Sequence, residues 1–222
     1  MKHKILHYYN NLAKTYDENR FENSYGSYID QQERNFLNSF FKDKNFKKIL
    51  DLGCGTGRLL NFATHGLDFS EEMISVAKGK FKNKIVEIGE ISKIPFEVKF
   101  DYIFCFHVIM HQSLEETENF LSECSDHLNE NGILIFDYPT SFRRRAISEQ
   151  EDWHANNTFD EEKISELLKN KWEILQSTGV LLFPIQRIPT KMRRFFLSLD
   201  QFLCRTFIKK WASYNIVVLK KR

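Results

Sequence analysis

The feature that most constrains this chain is the stretch ILDLGCGTGRLL, residues 49–60. An apolar run typical of a buried strand ends in glycines on alternate positions, Gly53, Gly55 and Gly57. Such a turn lies at the carboxyl edge of a parallel sheet, where glycine lets a ligand approach the backbone because it has no Cβ. A dinucleotide-binding GxGxxG motif would need glycine where Arg58 stands, and the Gly-Lys-Ser/Thr ending of a phosphate-binding loop is absent. The stretch predicts a ligand site and leaves the ligand open.

The rest of the chain alternates short apolar runs with amphipathic segments, an order that favours an α/β fold. We expect a Rossmann-like, doubly wound, mostly parallel sheet with helices on both faces. The predicted strands lie near residues 48–52, 66–69, 84–88, 101–106, 132–138, 172–183 and 214–220. The predicted helices lie near 57–63, 71–80, 115–128 and 160–169, after two N-terminal helices near 5–20 and 28–42.

Length and composition fit one globular α/β domain, or one domain with an added subdomain. The chain has 222 residues, of which 42% are apolar and 28% charged, a length within the range of single cores. It contains no run of 18 uncharged apolar residues, which argues against a membrane-spanning helix. The four cysteines lie far apart without a CxxC pair, so free thiols and a cytoplasmic location are expected rather than disulfides or a metal site.

The basic charge is concentrated in the last part of the chain. Residues 187–222 contain ten Lys or Arg and one Asp, although the whole chain has a formal net charge of only +2. Within residues 187–211, apolar side chains recur at helical spacing, which predicts an amphipathic basic helix or helix pair inserted before the last strand. Two interpretations remain open: a solvated helix face, or a surface for an acidic or membrane-bound partner, with peripheral membrane contact through 187–211.

Two acids follow the next two predicted strands, at the same edge as the glycines. Asp68 ends the second strand, where a carboxylate can accept hydrogen bonds from both hydroxyls of a ribose. Glu90 follows the third strand, where it could bind the amino edge of an adenine. Asp101 instead begins the fourth strand, away from this edge, and is expected to be structural.

Taken in order, these segments resemble the class I S-adenosylmethionine (SAM)-dependent methyltransferase family. The matching segments are Asp51–Gly57, Gly66–Ser70, Gly89–Glu90, Phe100–Asp101 and the strand entry Asn131–Gly132. The segment 12–17, LAKTYD, is similar to one that precedes the sheet in the ubiquinone/menaquinone-biosynthesis (methyltransferase type 11) branch. The resemblance implies a seven-stranded sheet whose last strand is antiparallel, a helical cap over residues 1–42, and a methyltransferase domain over 43–222.

The resemblance also implies roles for particular residues. SAM would be the cofactor and S-adenosylhomocysteine (SAH) its product. The methionine and ribose would lie along Asp51, Gly53, Cys54, Gly55 and Gly57, with Asp68 on the ribose hydroxyls. The remaining cofactor contacts would come from Phe69, Met73, Glu90, Ile91, Cys105 and Phe106, and from Tyr16 and Arg20 in the tyrosine-rich N-terminal segment.

Methyl transfer from a sulfonium is an in-line displacement, so alignment and exclusion of water matter more than acid–base work. A base is needed only when the acceptor must lose a proton. His107 and His111 follow the fourth strand, four positions apart, and are candidate bases, each with a structural alternative. No further zinc ligands stand at suitable spacing, so no metal is expected. Arg143 and Arg144, in a triple arginine, and His154 are candidate acceptor contacts.

The favoured function is methylation of a small-molecule or lipid-linked acceptor. Methylation of RNA is an alternative, although the sequence lacks both an Asn/Asp-Pro-Pro-Tyr/Phe motif and an appended RNA-binding module. A non-catalytic SAM-binding protein is a second alternative, because intact glycines and acids argue for cofactor binding without proving turnover. Oligomeric state is left open.

Overall fold

The computed structural model describes residues 2–44, 48–141, 159, 161–169 and 171–222. Its helices are α1 Lys2–Leu12, α2 Gly26–Phe41, α3 Glu71–Lys80, α4 Leu114–His127, α5 Glu161–Leu168 and α6 Thr190–Leu203. Its strands are β1 Ile49–Leu52, β2 His65–Asp68, β3 Ile85–Ile88, β4 Phe100–Cys105, β5 Leu128–Pro139, β6 Trp172–Val180 and β7 Tyr214–Lys221. Short 3₁₀ or π turns cover Ala13–Thr15, Glu18–Glu22, Leu60–Phe62, Ile109–His111, Ile185–Arg187 and Phe207–Trp211.

The strands described here form one sheet in the order β3-β2-β1-β4-β5-β7-β6. Strands β1 to β5 pair in parallel, while β7 runs antiparallel to both β5 and β6. The predicted seven-stranded α/β sheet with an antiparallel last strand is therefore confirmed. Because β1 lies inside the sheet, with Asp51 opposite Gly66 on one side and Phe104 on the other, all four of its residues are buried.

Helices cover both faces of the sheet, and the side chains of each strand alternate between them. Ile49, Phe104 and Ile135 belong to the apolar cluster that includes α2. Their neighbours Leu50, Ile103 and Leu134 belong to the cluster that includes α4 and α5. Full burial of one such side chain stabilises the fold by about 1.5–3 kcal/mol, so the central strands hold the carboxyl edge in a fixed position.

Local sequence explains the helices beside the site. Ser70 Oγ accepts a hydrogen bond of 3.2 Å from Met73 N at the start of α3, whose first turn is acidic and last turn basic. Ser113 and Glu116 form a reciprocal capping box at the start of α4. At the opposite edge of the sheet, Asp101 accepts hydrogen bonds from Lys48 N and Asn129 Nδ2, as expected for a structural residue.

Three element predictions were wrong. The helix predicted over 57–63 is only the 3₁₀ turn Leu60–Phe62, because β2 begins at His65 and leaves too few residues for an α-helix to return along the sheet. The helix predicted over 5–20 ends at Leu12. The chain then continues through the short turns Ala13–Thr15 and Glu18–Glu22. The strand predicted over 172–183 ends at Val180, because Leu181 adopts φ +60° and leaves the ladder.

The segment between β6 and β7 lies against α2 and the edge strand β6. Asp200 of α6 is fully buried and joins it to both neighbours. Its Oδ2 accepts a hydrogen bond of 2.9 Å from the hydroxyl of Tyr28, and its Oδ1 accepts one of 3.0 Å from Leu182 N. None of the helices in the described ranges combines the length and the apolar character needed to cross a membrane.

Candidate functional site

A cavity of about 370 Å³ opens at the carboxyl edge of β1, β2 and β4. α1 forms one wall with His3, Ile5, Leu6 and Tyr9. The turn after β4 adds Val108, His111 and Gln112 to the lining. A smaller branch of about 50 Å³ continues beneath the glycine loop. The main cavity and the branch are adjacent, because five residues line both: Tyr16, Gly53, Gly55, Phe106 and His107.

The glycine loop has the geometry that its sequence predicts. Gly53 adopts φ +79°, and a Cβ on it would lie 2.3 Å from Val108 Cγ2, so only glycine fits there. Gly55 adopts φ +53°, and a Cβ on it would have no atom within 4 Å. A side chain at Gly55 would therefore project into open space beside the cavity rather than into the protein. The loop leaves its backbone accessible to a ligand.

Asp68 holds this loop in place at the end of β2. Its Oδ2 accepts a hydrogen bond of 2.9 Å from Gly55 N, and its Oδ1 accepts one of 2.9 Å from Ser70 N. Burial raises the pKa of Asp68 to about 6, although both N–H groups act in the opposite direction. Each carboxylate oxygen has a second lone pair, so Asp68 can also accept hydrogen bonds from a ligand in the cavity.

Asp51 lies beneath the loop, in the small branch. Only 3% of the residue is exposed, and its Oδ2 has no hydrogen-bond partner among the described residues. Burial raises the pKa of Asp51 to about 8; Arg58 lowers it and Asp68 raises it further. An unpartnered buried carboxylate oxygen is costly, which favours a cationic or hydrogen-bond-donating ligand group at this point.

Arg58, which excluded the dinucleotide motif, ties the glycine loop to α2. Its guanidinium forms ion pairs of 2.7 Å with Asp30 and 2.8 Å with Glu33. Glu33 is 1% exposed and also lies 2.7 Å from Nε2 of His107. Burial alone would raise the pKa of Glu33, but His107 and Arg58 outweigh it and lower the pKa to about 2. Glu33 is therefore ionised and paired at neutral pH.

His107 lies between two carboxylates. Its Nε2 faces Glu33, its Nδ1 lies 3.4 Å from Asp137 Oδ2, and its backbone N donates to Asp137 Oδ1 at 2.6 Å. Burial alone would lower the pKa of His107, but Glu33 and Asp137 outweigh it and raise the pKa. The three side chains are close enough to hold a metal ion, yet Arg58 already pairs with Glu33. This cluster is an ion-pair network in which both ring nitrogens of His107 face acids.

Three side-chain hydrogen bonds join the N-terminal segment to the loops around the cavity. Tyr9 Oη lies 3.2 Å from His111 Nε2. Ser70 Oγ donates a hydrogen bond of 2.6 Å to Asn10 Oδ1, and Thr56 Oγ1 donates one of 2.5 Å to Asp17 Oδ1. Burial raises the pKa of the Tyr9 phenol well above its ordinary value, so it stays protonated. α1 and the turns after it thus contact the loops that follow β1, β2 and β4.

Most of the site residues predicted from sequence do line this site. Those on the main cavity are Tyr16, Gly53, Gly55, Asp68, Phe69, Met73, Glu90, Ile91, Phe106, His107 and His111. Asp51 and Cys54 line the branch. Gly57, Cys105 and Arg20 line neither: Cys105 packs in the core on the α4 face, and Arg20 is exposed. Arg143, Arg144 and His154 lie outside the described residues.

Sequence reasoning missed several residues of the wall. Tyr9 belongs to the tyrosine-rich N-terminal segment, and Ile5 and Leu6 to the helix predicted near 5–20, but none of the three was predicted to line the site. Their spacing on α1 is compatible with helix packing or with a place on the wall, so only the placement of α1 distinguishes the two. Glu33 gave no signal, because an acid within an amphipathic helix usually faces solvent.

Comparison with known proteins identifies the family. The family model described as a methyltransferase domain matches residues 43–183. The chain belongs to this methyltransferase domain family. An uncharacterized protein of Methanocaldococcus jannaschii is 30% identical, with 98% of this chain and 90% of that protein covered. A ubiquinone biosynthesis O-methyltransferase of a Shewanella species is 26% identical over 40% of this chain and 42% of its own length.

Solved structures share the fold of this methyltransferase. A SAM-dependent methyltransferase of Thermotoga maritima has a TM-score of 0.70 at 17% identity, covering 97% of this chain and 99% of the other. The magnesium protoporphyrin IX methyltransferase of Synechocystis, with bound SAH, has a TM-score of 0.68 at 16% identity, and both chains are covered completely. The protein is a SAM-dependent methyltransferase, and SAM is its cofactor.

Two features of this methyltransferase fit SAM. The unpartnered Oδ2 of Asp51 is a buried acceptor, and the methionine end of SAM carries an ammonium group. The space beside Gly55, which a Cβ would enter, gives a ligand access to the backbone of the loop. The buried acceptor and the open space at Gly55 thus fit the ammonium group and the shape of the cofactor.

Proposed function

We propose that this methyltransferase transfers the methyl group of SAM to a small-molecule acceptor bound beneath α1. The observation that carries the proposal is the wall that α1 contributes. Ile5 and Leu6 make this wall apolar, and the Tyr9–His111 pair gives it one polar contact. The cavity of about 370 Å³ is also lined by the residues proposed for the cofactor, so the acceptor would take the part of it next to α1.

In this proposal the cofactor lies along the glycine loop. Asp51 pairs with the ammonium of its methionine part, and Asp68 accepts hydrogen bonds from its ribose hydroxyls. The apolar side chains of Phe69 and Met73 flank the adenine. Glu90 and Ile91, after β3, bind the edge of that ring.

The protein's contribution to transfer is alignment. With the sulfonium fixed by the loop, the acceptor approaches from the α1 side, and the covering helix excludes water. His111, rather than His107, is placed to take a proton from an acceptor that must lose one. Both nitrogens of His107 face carboxylates, while His111 lies on the cavity wall with Tyr9. Residues 1–42 would act as the cap of the methyltransferase domain.

The test combines binding with turnover. Calorimetry should detect binding of both SAM and SAH to the full chain. Methyl release from labelled SAM should then be measured over a panel of small amines, phenols and carboxylates. Transfer to one chemical class supports the proposal. Tight SAM binding with no transfer to any of them would instead favour the alternative of a non-catalytic SAM-binding protein.

Methylation of RNA finds less support. Among the described residues, the main cavity has no Lys or Arg on its wall, and in the branch Arg58 is already paired with Asp30 and Glu33. Nucleic-acid sites are usually basic because they neutralise phosphates. Binding of tRNA fragments that falls steeply with salt and is displaced by SAH would overturn this preference.

A lipid-linked acceptor is a second candidate, favoured by α6. The outer face of α6 exposes a stripe of apolar side chains, and the turn that follows α6 extends this stripe. The exposed fractions are 48% for Met192, 68% for Phe195, 48% for Leu199, 66% for Phe202 and 76% for Phe207. Lys191, Arg194 and Lys210 lie beside this stripe on the exposed surface. An apolar stripe bordered by cations is typical of helices that lie on anionic bilayers.

Co-sedimentation with vesicles of phosphatidylcholine and phosphatidylserine tests this contact. The full chain should sediment with the vesicles, and Phe195→Ser combined with Phe202→Ser should stay in solution. Ile85→Ser combined with Ile88→Ser is the matched control, because those side chains are also about half exposed but lie on β3. Equal sedimentation of all three proteins, or none by the unmodified chain, would remove the membrane proposal.

A further inference from the structure

A second cavity of about 400 Å³ lies between α2, β6, β7 and the carboxyl end of α6. It shares no lining residue with the cofactor site among the described residues. One side of it is apolar, with Phe36, Val180 and Ile216. The other side is polar. Its volume also falls within the range of small-molecule sites, roughly 300–1,000 Å³.

Gln32 carries the strongest signal in this cavity. The residue is 4% exposed, and its Oε1 accepts a hydrogen bond of 2.9 Å from Leu181 N. That N–H fixes the orientation of the amide, because the reversed orientation would bring two donors together. The Nε2 group is thereby directed away from Leu181, and it has no hydrogen-bond partner in the part of the chain that the structure describes. A buried donor without a partner costs about 1–3 kcal/mol unless a ligand or water accepts from it.

The charges around Gln32 indicate what kind of ligand would accept a hydrogen bond from its Nε2 group. Lys44 and Arg205 line the cavity, and no acidic residue does so among the described residues. The Lys44 ammonium lies 3.0 Å from the centre of the Phe40 ring, and burial lowers its pKa. An anion in the cavity would offset this positive charge and accept a hydrogen bond from Gln32.

We propose that this cavity binds a small organic carboxylate, with Gln32, Lys44 and Arg205 on its carboxyl group and the apolar wall on its body. A planar carboxylate suits the guanidinium of Arg205, which favours two-point contacts, and its oxygens can also accept a hydrogen bond from Nε2 of Gln32. Inorganic phosphate has the charge but no apolar body, so it should bind more weakly. Binding here is independent of methyl transfer, because the cofactor site lies elsewhere.

Calorimetric titration of the SAH-saturated full chain with benzoate and hexanoate tests the site. At least one of the two should bind, and benzamide, which resembles benzoate without its charge, should bind about tenfold more weakly. Gln32→Glu keeps the acceptor for Leu181 N but places a second carboxylate in the cavity. It should weaken carboxylate binding by about tenfold or more.

Arg205→Gln should also weaken carboxylate binding, and because Arg205 is exposed, this variant decides the question if Gln32→Glu fails to fold. Arg194→Gln is the matched control: it removes an exposed cation of the same segment that does not line the cavity, and it should bind as the unmodified chain does. SAH affinity should stay unchanged in every variant that folds. Absence of binding by both carboxylates, equal binding by benzamide, or equal binding by Arg205→Gln would overturn the proposal.

Discussion

Oδ2 of Asp68 accepts a hydrogen bond of 2.9 Å from the backbone N of Gly55, which joins the end of β2 to the loop after β1. Asp68→Ala removes this bond and the proposed contact with the ribose. We expect SAM affinity to fall by about tenfold to a hundredfold, since hydrogen bonds to a charged group contribute about 1.5–3 kcal/mol. Calorimetry with SAH measures the loss.

Asp101→Ala is the matched control for Asp68→Ala. Asp101 is also an aspartate that accepts a backbone N–H, from Lys48, but it lies at the opposite edge of the sheet. SAH should bind this variant as tightly as the unmodified chain. An unchanged affinity in Asp68→Ala would refute its ribose role.

Gly55→Ala should separate ligand binding from folding. A Cβ at Gly55 meets no atom within 4 Å, so the fold loses only the cost of a left-handed alanine, about 1–2 kcal/mol. The methyl group nevertheless enters the space proposed for the cofactor, and SAH affinity should fall at least tenfold, roughly the effect of about 1.4 kcal/mol. Gly57→Ala should instead destabilise the fold and leave SAH affinity almost unchanged, because its Cβ would lie 2.9 Å from atoms of Leu60 and Phe81. Thermal unfolding and calorimetry on both variants check the contrast.

The raised pKa of Asp51 makes stability depend on pH. Burial raises this pKa from 3.8 to about 8, so within that window the folded chain binds a proton that the unfolded chain releases. Raising the pH through the window therefore lowers the free energy of unfolding. Asp51→Asn, which resembles the protonated form, should be more stable than the unmodified chain near pH 8, because each pH unit within the window costs the unmodified chain about 1.4 kcal/mol.

The same Asp51→Asn variant should bind SAM more weakly, because an amide cannot give up a proton, as Asp51 would, to pair with the ammonium. Denaturant unfolding at several pH values and calorimetry measure the two effects. Asp126→Asn, at an exposed position, should change neither of them. Equal pH dependence in Asp51→Asn and the unmodified chain would show that Asp51 is ionised throughout.

The two histidines should respond differently to substitution. His111→Gln should slow transfer to a proton-losing acceptor by about a hundredfold or more, the usual contribution of a general base, with SAH affinity almost unchanged. His107→Gln should instead lower the free energy of unfolding by about 3 kcal/mol, because Glu33 and Asp137 lose their shared partner. Single-turnover rates and thermal unfolding separate the two. An inactive but fully stable His107→Gln, beside an active His111→Gln, would move the catalytic role to His107.

Much of the fold was predictable because its signals are local. The ILDL run, the cap at Ser70 and the capping box at Ser113 each specify a strand or helix within a few residues. The glycine positions and Asp68 were predictable for a related reason. The left-handed backbone conformation of the loop favours glycine at these positions, and Asp68 is the single acid at the end of β2.

The remaining features depend on contacts distant in sequence. Glu33 lies on α2, and its role follows only from the approach of Arg58 and His107 after folding. His107 seemed as good a base as His111 until Asp137, thirty positions later, was placed beside its ring. Tyr9 likewise becomes part of the wall only because α1 crosses the sheet edge. No sequence pattern within a single helix or strand indicates such contacts.

β6 and β7 pair along their whole length, with Val180 directly opposite Tyr214. The two ends of the intervening segment, residues 181–213, therefore leave the sheet side by side, separated by about one strand spacing of 5 Å. Insertions or deletions between these two ends need not alter the pairing of β6 with β7. Changes in this segment can therefore reshape the outer surface beside α6 while the strand register of the sheet is kept, provided that the contacts of the buried Asp200 with Tyr28 and Leu182 remain.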